Sequence, residues 1–373
     1  MLKWLISVVI MFLALSGTTY FIYSSTNNSL SNVVTINSFN TGKNEIDNTQ
    51  IKTIANGLDT PWDLVFLPNN EILFTERQGN IKLLDKSGNV SLITNIAGAK
   101  ESGEGGLLGI TLHPEFKNYL YLYFTAGNKN QIVSYKFQNN ILTQDRVIID
   151  NIPGKLFHNG GRIKFGPDGK LYATTGDAQV ENLSQDPSSL AGKILRLNDD
   201  GSIPEDNPIS GSPVYSYGHR NPQGLAFDQD ARLWATEHGS SAYDEVNRIL
   251  PGKNYGWPDY KGDEAEEGFE TPFVHSGRNT WAPSGAAIFE NSLYFTGLRG
   301  TAVYKLSLDS TTQTFANSER KVEEYLKNEF GRLRNISLGP DGYFYILTNN
   351  KDGRGKPVEE DDRLIRIAPD LLK

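Results

Sequence analysis

Cysteine is absent from this chain. That excludes disulfides, thiolate metal sites and a lipoprotein anchor, and it leaves oxygen and imidazole as the donors open to a bound metal. Basic runs are missing too. Lys and Arg number 36 against 44 Asp and Glu, a net charge of −8, and no stretch of the chain could neutralise a series of phosphates, so nucleic acid is not an expected partner. Histidine is scarce, with five residues at 113, 158, 219, 238 and 275, and no two have the close helical spacing of a zinc enzyme. A glycine-rich phosphate loop leading into a helix and a serine elbow are also lacking, which removes the usual signals of nucleotide transfer and serine hydrolysis. The Asp199-Asp200-Gly201 turn is too short a fragment to be a calcium hand.

What the chain does have is 36 glycines, 17 tyrosines and 18 phenylalanines, together with many Asn and Asp, a composition of short strands joined by tight turns. One long uncharged run stands out, Trp4 to Tyr23, directly after Lys3. Its length and basic start fit either a signal peptide or an uncleaved membrane anchor over residues 1–23, with Ala14-Leu15-Ser16 as a candidate cleavage site. Both readings place the rest of the chain outside the cytoplasm, membrane-anchored or secreted. Residues 24–50, dominated by Ser, Asn and Thr, hold too little apolar surface to offset the entropy of ordering and read as a flexible polar linker.

From residue 51 to 373 one phrase recurs: an apolar strand, a turn, then a second strand rich in aromatic or branched side chains. Copies begin at Pro61, Gly105, Gly160, Gln223, Ser284 and Leu333. In the third, Arg162 to Phe165 alternate in polarity, Gly166-Pro167-Asp168-Gly169 closes a hairpin, and Leu171 to Thr174 start the return strand. Spacings of roughly 45 to 65 residues suit a four-stranded blade plus a long loop. The expectation is an all-β, six-bladed β-propeller whose blades bury their faces only when the ring closes. The phrase at 362–367 is a candidate closing strand with no partner specified by the sequence.

Residues able to do chemistry gather where loops feed the innermost strands. His158-Asn159-Gly160-Gly161-Arg162 opens the third copy, and an imidazole there can accept a proton from a hydroxyl while its glycines let a ligand approach the backbone. Tyr217 to Gly224 holds the equivalent place before the fourth copy, and Arg220 can polarise a carbonyl or bind an anion but cannot act as a base. Arg299 follows the strand pair of the fifth copy, and Arg332 and Arg334 open the sixth. Four arginines at corresponding loop positions in an acidic chain point to an anionic ligand with several carboxylates. The 237–247 segment, with its Gly, Ser, carboxylates and amide, offers the hard oxygen donors calcium prefers, as an ordinary acidic loop also would.

Taken together, these runs resemble the quinoprotein sugar dehydrogenases, the glucose and sorbosone dehydrogenase family, over nearly all of residues 55 to 370. The likeness is carried by PWDL at 61–64, TER at 75–77, GEGGLLG at 103–109, HPEF at 113–116, HNGGR at 158–162 and PDGKLY at 167–172. It continues through TGD at 175–177, GHRNPQGL at 218–225, EHG at 237–239, DEVN at 244–247, NYGWP at 254–258, WAPSG at 281–285, GLRG at 297–300 and RLRNI at 332–336. The resemblance implies oxidation of an aldose at its anomeric carbon to a lactone, by hydride transfer to pyrroloquinoline quinone (PQQ) bound with Ca2+ near the propeller axis. By motif position it implies His158 as the base and Arg220 as the group that stabilises negative charge on the quinone oxygen. It places Asn221, Thr280, Arg299, Arg332 and Arg334 around the cofactor together with Arg220, and assigns the carbonyls of Gly239 and Ser240 to calcium. The electron acceptor stays unidentified.

Three departures from the soluble glucose enzymes follow from the same resemblance. Phe157 stands where they carry an aspartate that assists the histidine, which would leave His158 less basic or differently oriented. Glu104 stands where they carry a substrate-contacting glutamine, and Arg299 replaces a lysine of some members. These favour the broader aldose sugar dehydrogenase branch. The rival readings are a calcium-dependent propeller lactonase and a non-catalytic extracellular binding module, since a fold by itself implies no activity.

Overall fold

A computed structural model describes residues 50–264, 266–308 and 320–373, plus a two-residue pairing of Ala14–Leu15 with Thr18–Thr19. The expected signal or anchor at 1–23 and the linker at 24–50 otherwise lie outside the described residues, apart from Gln50. Among the described residues no helix is long and apolar enough to cross a membrane. The described residues from Gln50 to Lys373 belong to one compact unit.

Within that unit the chain forms six four-stranded antiparallel sheets, each running from an innermost to an outermost strand. The innermost strands are Pro61–Phe66, Leu107–Leu112, Ile163–Phe165, Pro222–Phe227, Pro283–Phe289 and Leu333–Leu338, and each packs on the innermost strands of both neighbours, so the ring is closed. These are the starts of the six sequence copies, and the blades are numbered one to six in that order.

The apolar core is divided into six clusters, and each sits between two blades. Leu73 and Ile81 of the first blade meet Ile110 and Leu122 of the second. The last cluster joins Leu347 and Leu364 of the sixth blade to Phe74 and Leu84 of the first. No blade has a core of its own, which is the physical reason one phrase must repeat until the circle is complete. Buried threonines add hydrogen bonds across the seams: Thr75 Oγ1 donates to the carbonyl of Leu108 at 2.7 Å and Thr236 Oγ1 to that of Ser284 at 2.7 Å.

The hairpin turns also repeat at side-chain level. Asp168 of the Gly166–Gly169 turn accepts from Tyr172 Oη and Arg196 Nε, and Asp341 does the same for Tyr345 and Arg366. Asp228 in the fourth blade takes Trp234 Nε1 and Arg232 Nε. The turn aspartate thus holds down an aromatic ring of the next strand in three blades, which explains the PDG and DQD runs at these places.

The closing strand left without a partner in the sequence finds one at the opposite end of the domain. Leu364–Ile367 pairs antiparallel with Ile51–Ala55, placing Ile367 opposite Ile51 and Leu364 opposite Ala55. Removing residues 51–55 would strip the outer edge of the sixth blade, and the lost ladder bonds amount to about 3–4 kcal/mol at about 1 kcal/mol each. A chain starting at Leu58 should therefore melt roughly 5 °C lower by differential scanning calorimetry. An unchanged melting temperature would show that the ring closes without that strand.

Candidate active site

The loop from blade two to blade three carries His158 over the axial mouth, with its backbone at φ +60°, a left-handed conformation uncommon outside glycine. Two neighbours hold it there. Gly176 lies so close that an added Cβ would stand 2.0 Å from the His158 carbonyl, so only glycine lets the following loop pass. That loop delivers Asp177, whose side chain is fully buried, and His158 Nδ1 sits 2.7 Å from Asp177 Oδ1. The same carboxylate accepts the Gln179 N–H at 2.7 Å and Trp257 Nε1 at 3.0 Å. An acceptor fixed on the Nδ1 side places the proton on Nδ1 and leaves Nε2 as the free lone pair.

Phe157, standing where relatives have an aspartate, is the ground for expecting His158 to be less basic or differently oriented, yet a carboxylate, that of Asp177, does sit against the ring. The carboxylate comes instead from 19 residues downstream, in the TGD run. The run was visible as part of the repeat, but nothing local to His158 pointed to it. His158 and Asp177 line a cleft of about 460 Å³ together with Gln179, Val180, Glu181 and Asn182.

Arg220 reaches this site from the loop before blade four. Its carbonyl accepts the Asp177 N–H at 2.8 Å, and its guanidinium lies 5.3 Å from the Trp257 ring. Its own backbone N–H is gripped by Glu237, which also holds buried His219. Burial pushes the Arg220 guanidinium below the usual arginine range, opposed by Asp177, Glu237, Glu104 and Asp244, and its Nε has no hydrogen-bond partner.

Asn221 and Gln223 tie the histidine loop to the sixth blade. Asn221 Oδ1 accepts the Gly160 N–H at 3.0 Å, and Gln223 Nε2 donates to the Gly160 carbonyl at 3.0 Å while its Oε1 accepts Arg334 Nη1 at 2.9 Å. Arg334 is buried, with its guanidinium 5.6 Å from the Trp62 ring; Arg162 stacks on the same ring at 4.2 Å. Arg332 is anchored differently, through Nε and Nη2 on Asp352 Oδ2 at 3.0 and 2.7 Å. Arg334 Nε and His238 Nε2 are buried without partners. Among the described residues these nitrogens of Arg220, Arg334 and His238, together with Arg162 Nη2, are buried without a hydrogen-bond partner, a pattern that calls for an anion or a polar ligand.

The remaining sequence candidates fall into two groups. Glu104 is beside the histidine: its Oε2 accepts the His158 N–H at 3.2 Å. Thr280 and Gly239 belong to a second cluster organised by buried Asp244, whose Oδ2 accepts Thr280 Oγ1 at 2.8 Å and the Trp281 and Ala282 N–H groups, and whose Oδ1 accepts the Gly239 N–H at 2.9 Å. Arg299 is exposed and makes no hydrogen bond or ion pair to any described residue. Ser240 is exposed on the Gly239 turn. Asp177, Trp257, Gln223, Arg162 and His238 were not singled out from sequence; the first four act through residues distant along the chain.

Both implied ligands can be set against this geometry. PQQ, an anionic quinone, suits the partnerless nitrogens of Arg220, Arg334 and His238. For calcium, Gly239 lies in a turn so dense in carbonyls that an added Cβ would meet the Ala242 oxygen at 2.0 Å and the Tyr243 oxygen at 2.6 Å. Among the described residues no three His, Asp or Glu side chains cluster as metal ligands, so a cation here would rest on backbone oxygens, a donor type that calcium accepts.

Comparisons with known proteins bear on the family and the fold. The profile of the Glucose / Sorbosone dehydrogenase family matches residues 58–366. The aldose sugar dehydrogenase YliI of Escherichia coli is 31% identical, over 86% of this chain and 92% of its own length. Quinoprotein glucose dehydrogenase B of Acinetobacter calcoaceticus is 34% identical over 61% of this chain and 56% of its own. The PQQ-bound aldose sugar dehydrogenase of Streptomyces coelicolor superposes with a TM-score of 0.80 at 41% identity, covering 85% of this chain and 97% of that one.

Proposed function

The chain belongs to the glucose/sorbosone dehydrogenase family, and from that premise we propose that it oxidises aldoses at the anomeric carbon to lactones with PQQ as the hydride acceptor. The observation that carries this reading is the His158–Asp177 pair, joined through Asn221 and Gln223 to buried arginines whose donors lack partners. When bound, the quinone supplies a two-electron acceptor for the hydride leaving C1. His158 Nε2 takes the proton from the anomeric hydroxyl, so that the C1–O bond becomes a carbonyl as the hydride departs. Asp177 orients the ring and stabilises the imidazolium that results. Arg220 would set a positive charge beside the bound quinone, Asn221, Thr280, Arg299, Arg332 and Arg334 would hold the cofactor with it, and the Gly239 and Ser240 carbonyls would hold Ca2+.

The test is to load the purified protein with PQQ, with and without Ca2+, and to follow dye reduction on a panel of aldoses. Turnover that depends on the quinone and falls when calcium is chelated is the expected result. A protein that binds no quinone and oxidises no aldose would fit the non-catalytic binding module, and quinone-independent lactone hydrolysis would fit the lactonase; no observation on the site favours either. Asp177→Asn should slow turnover by about tenfold or more without weakening quinone binding, because the amide still packs but no longer fixes the tautomer. Retained wild-type turnover would remove Asp177 from the proton-transfer pair. The uncharged run at 4–23 supports an extracytoplasmic site of action, tethered or exported.

A further inference from the structure

Glu104 is bound to a residue that sequence reading passed over. Arg354, 250 residues away in the loop between the second and third strands of blade six, donates from Nη1 to Glu104 Oε1 at 2.6 Å. Its guanidinium lies 5.2 Å from the ring of Phe157, the residue preceding His158. The Arg354 backbone N–H is in turn held by Asp352 Oδ1 at 2.9 Å, and Asp352 Oδ2 is the anchor of Arg332. A continuous polar chain therefore runs Arg332, Asp352, Arg354, Glu104, His158, crossing the mouth from the sixth blade to the third.

The geometry of Glu104 gives that chain a direction. Its backbone N–H donates to the Leu156 carbonyl at 2.7 Å and its Oε2 accepts the His158 N–H, so both ends of the residue are latched to the histidine loop. A carboxylate has about four acceptor positions. Two are used by Arg354 and His158, and the side chain, 22% exposed, can still accept hydrogen bonds from solvent or ligand. Arg354 is half exposed and uses one of its donors on Glu104. A hydroxyl-rich ligand seated at His158 would meet a fixed acceptor next to free donors, which is how polyols are recognised.

Resting on the dehydrogenase reading above, we propose that Arg354 determines substrate specificity by holding the Glu104 carboxylate beside His158, where that carboxylate accepts a sugar hydroxyl remote from the reacting carbon. Burial works to raise the Glu104 carboxyl, but the Arg354 hydrogen bond, His238, the Arg354 charge and the His158 N–H hold it down to about 2. The acceptor is therefore ionised throughout the working pH range. Freed from Arg354, the carboxylate would swing between rotamers, and sugar binding would weaken before the chemical step.

The test compares the full-length protein with Arg354→Ala, Arg354→Lys, Glu104→Gln and the Arg354→Ala/Glu104→Gln double variant, by steady-state kinetics on neutral aldoses and by PQQ titration followed by absorbance. Arg354→Ala should raise KM about tenfold, the equivalent of one charge-assisted hydrogen bond, with kcat and PQQ affinity nearly unchanged. Arg354→Lys should recover part of that loss, and the double variant should bind sugar no worse than Glu104→Gln alone, because Arg354 acts through Glu104. An unchanged KM in Arg354→Ala, or a loss of kcat and quinone affinity instead of KM, would overturn the proposal. Wild-type protein that holds the quinone but turns over no aldose would overturn the dehydrogenase reading itself, and this inference with it.

Discussion

His158→Ala is expected to lower sugar-dependent dye reduction by roughly 10²–10⁴-fold while quinone affinity stays within about twofold, the signature of a lost general base. The argument rests on how little else the ring does. Among the described residues the imidazole bonds to Asp177 alone, through Nδ1, and His158 lines the cleft. The loop is held through its backbone: Glu104 takes the His158 N–H, Asn221 takes that of Gly160, and the Ala178 N–H donates to the His158 carbonyl at 3.2 Å. Removing the ring therefore subtracts the proton acceptor and leaves the scaffold and the arginines in place. Alanine also tolerates the left-handed backbone at 158 less well than histidine, so His158→Asn, an amide at ease in that conformation, is the companion variant. Both should lose turnover and keep the quinone; retention of full turnover in either would move the base elsewhere.

The propeller was legible because its repeat is local. Each blade announces itself within about twenty residues, as strand, turn and strand, and the turn aspartates and seam threonines are written into the same phrase. The site was legible only where one residue type suffices. His158 and Arg334 are conspicuous as an imidazole and a guanidinium in loops that feed the axis. Asp177 was hidden because its role exists only once Gly176 lets two loops touch, and Gln223 because it works as a joint between Gly160 and Arg334. Arg354 lies in a loop of blade six and Glu104 in the loop leading into blade two, blades that are not neighbours in the ring, so no spacing along the chain could pair them. The partner of Leu364–Ile367 was obscure for the same reason: ring closure couples the two ends of the domain and is invisible to any window on the sequence.

Arg334→Met should weaken PQQ binding by roughly 10- to 100-fold, the loss expected for one or two hydrogen bonds to a charged group. Arg334 is buried beside Arg332 and Arg77, and in the protein without ligand it is held by Gln223 Oε1 and, more loosely, by Ser284 Oγ at 3.4 Å. Burial pushes its guanidinium down to about 9, with Arg332 and Arg77 adding to the effect and Asp352 and Glu104 opposing it. A cation in that position costs stability until an anion arrives, and replacing a poorly compensated buried charge by an apolar chain of similar length is often neutral or stabilising. The unliganded variant should therefore melt no lower than the wild type, within a few degrees, whereas the upward shift that saturating PQQ gives the wild type should shrink. With the quinone forced on at high concentration, the variant should recover most of its kcat, because His158 and Asp177 are untouched. That separates it from His158→Ala, which keeps the ligand and loses the reaction. If the two variants lost quinone binding equally, the division between a proton-accepting histidine and an anion-holding arginine would fail, and the cup would have to be read as one indivisible binding surface.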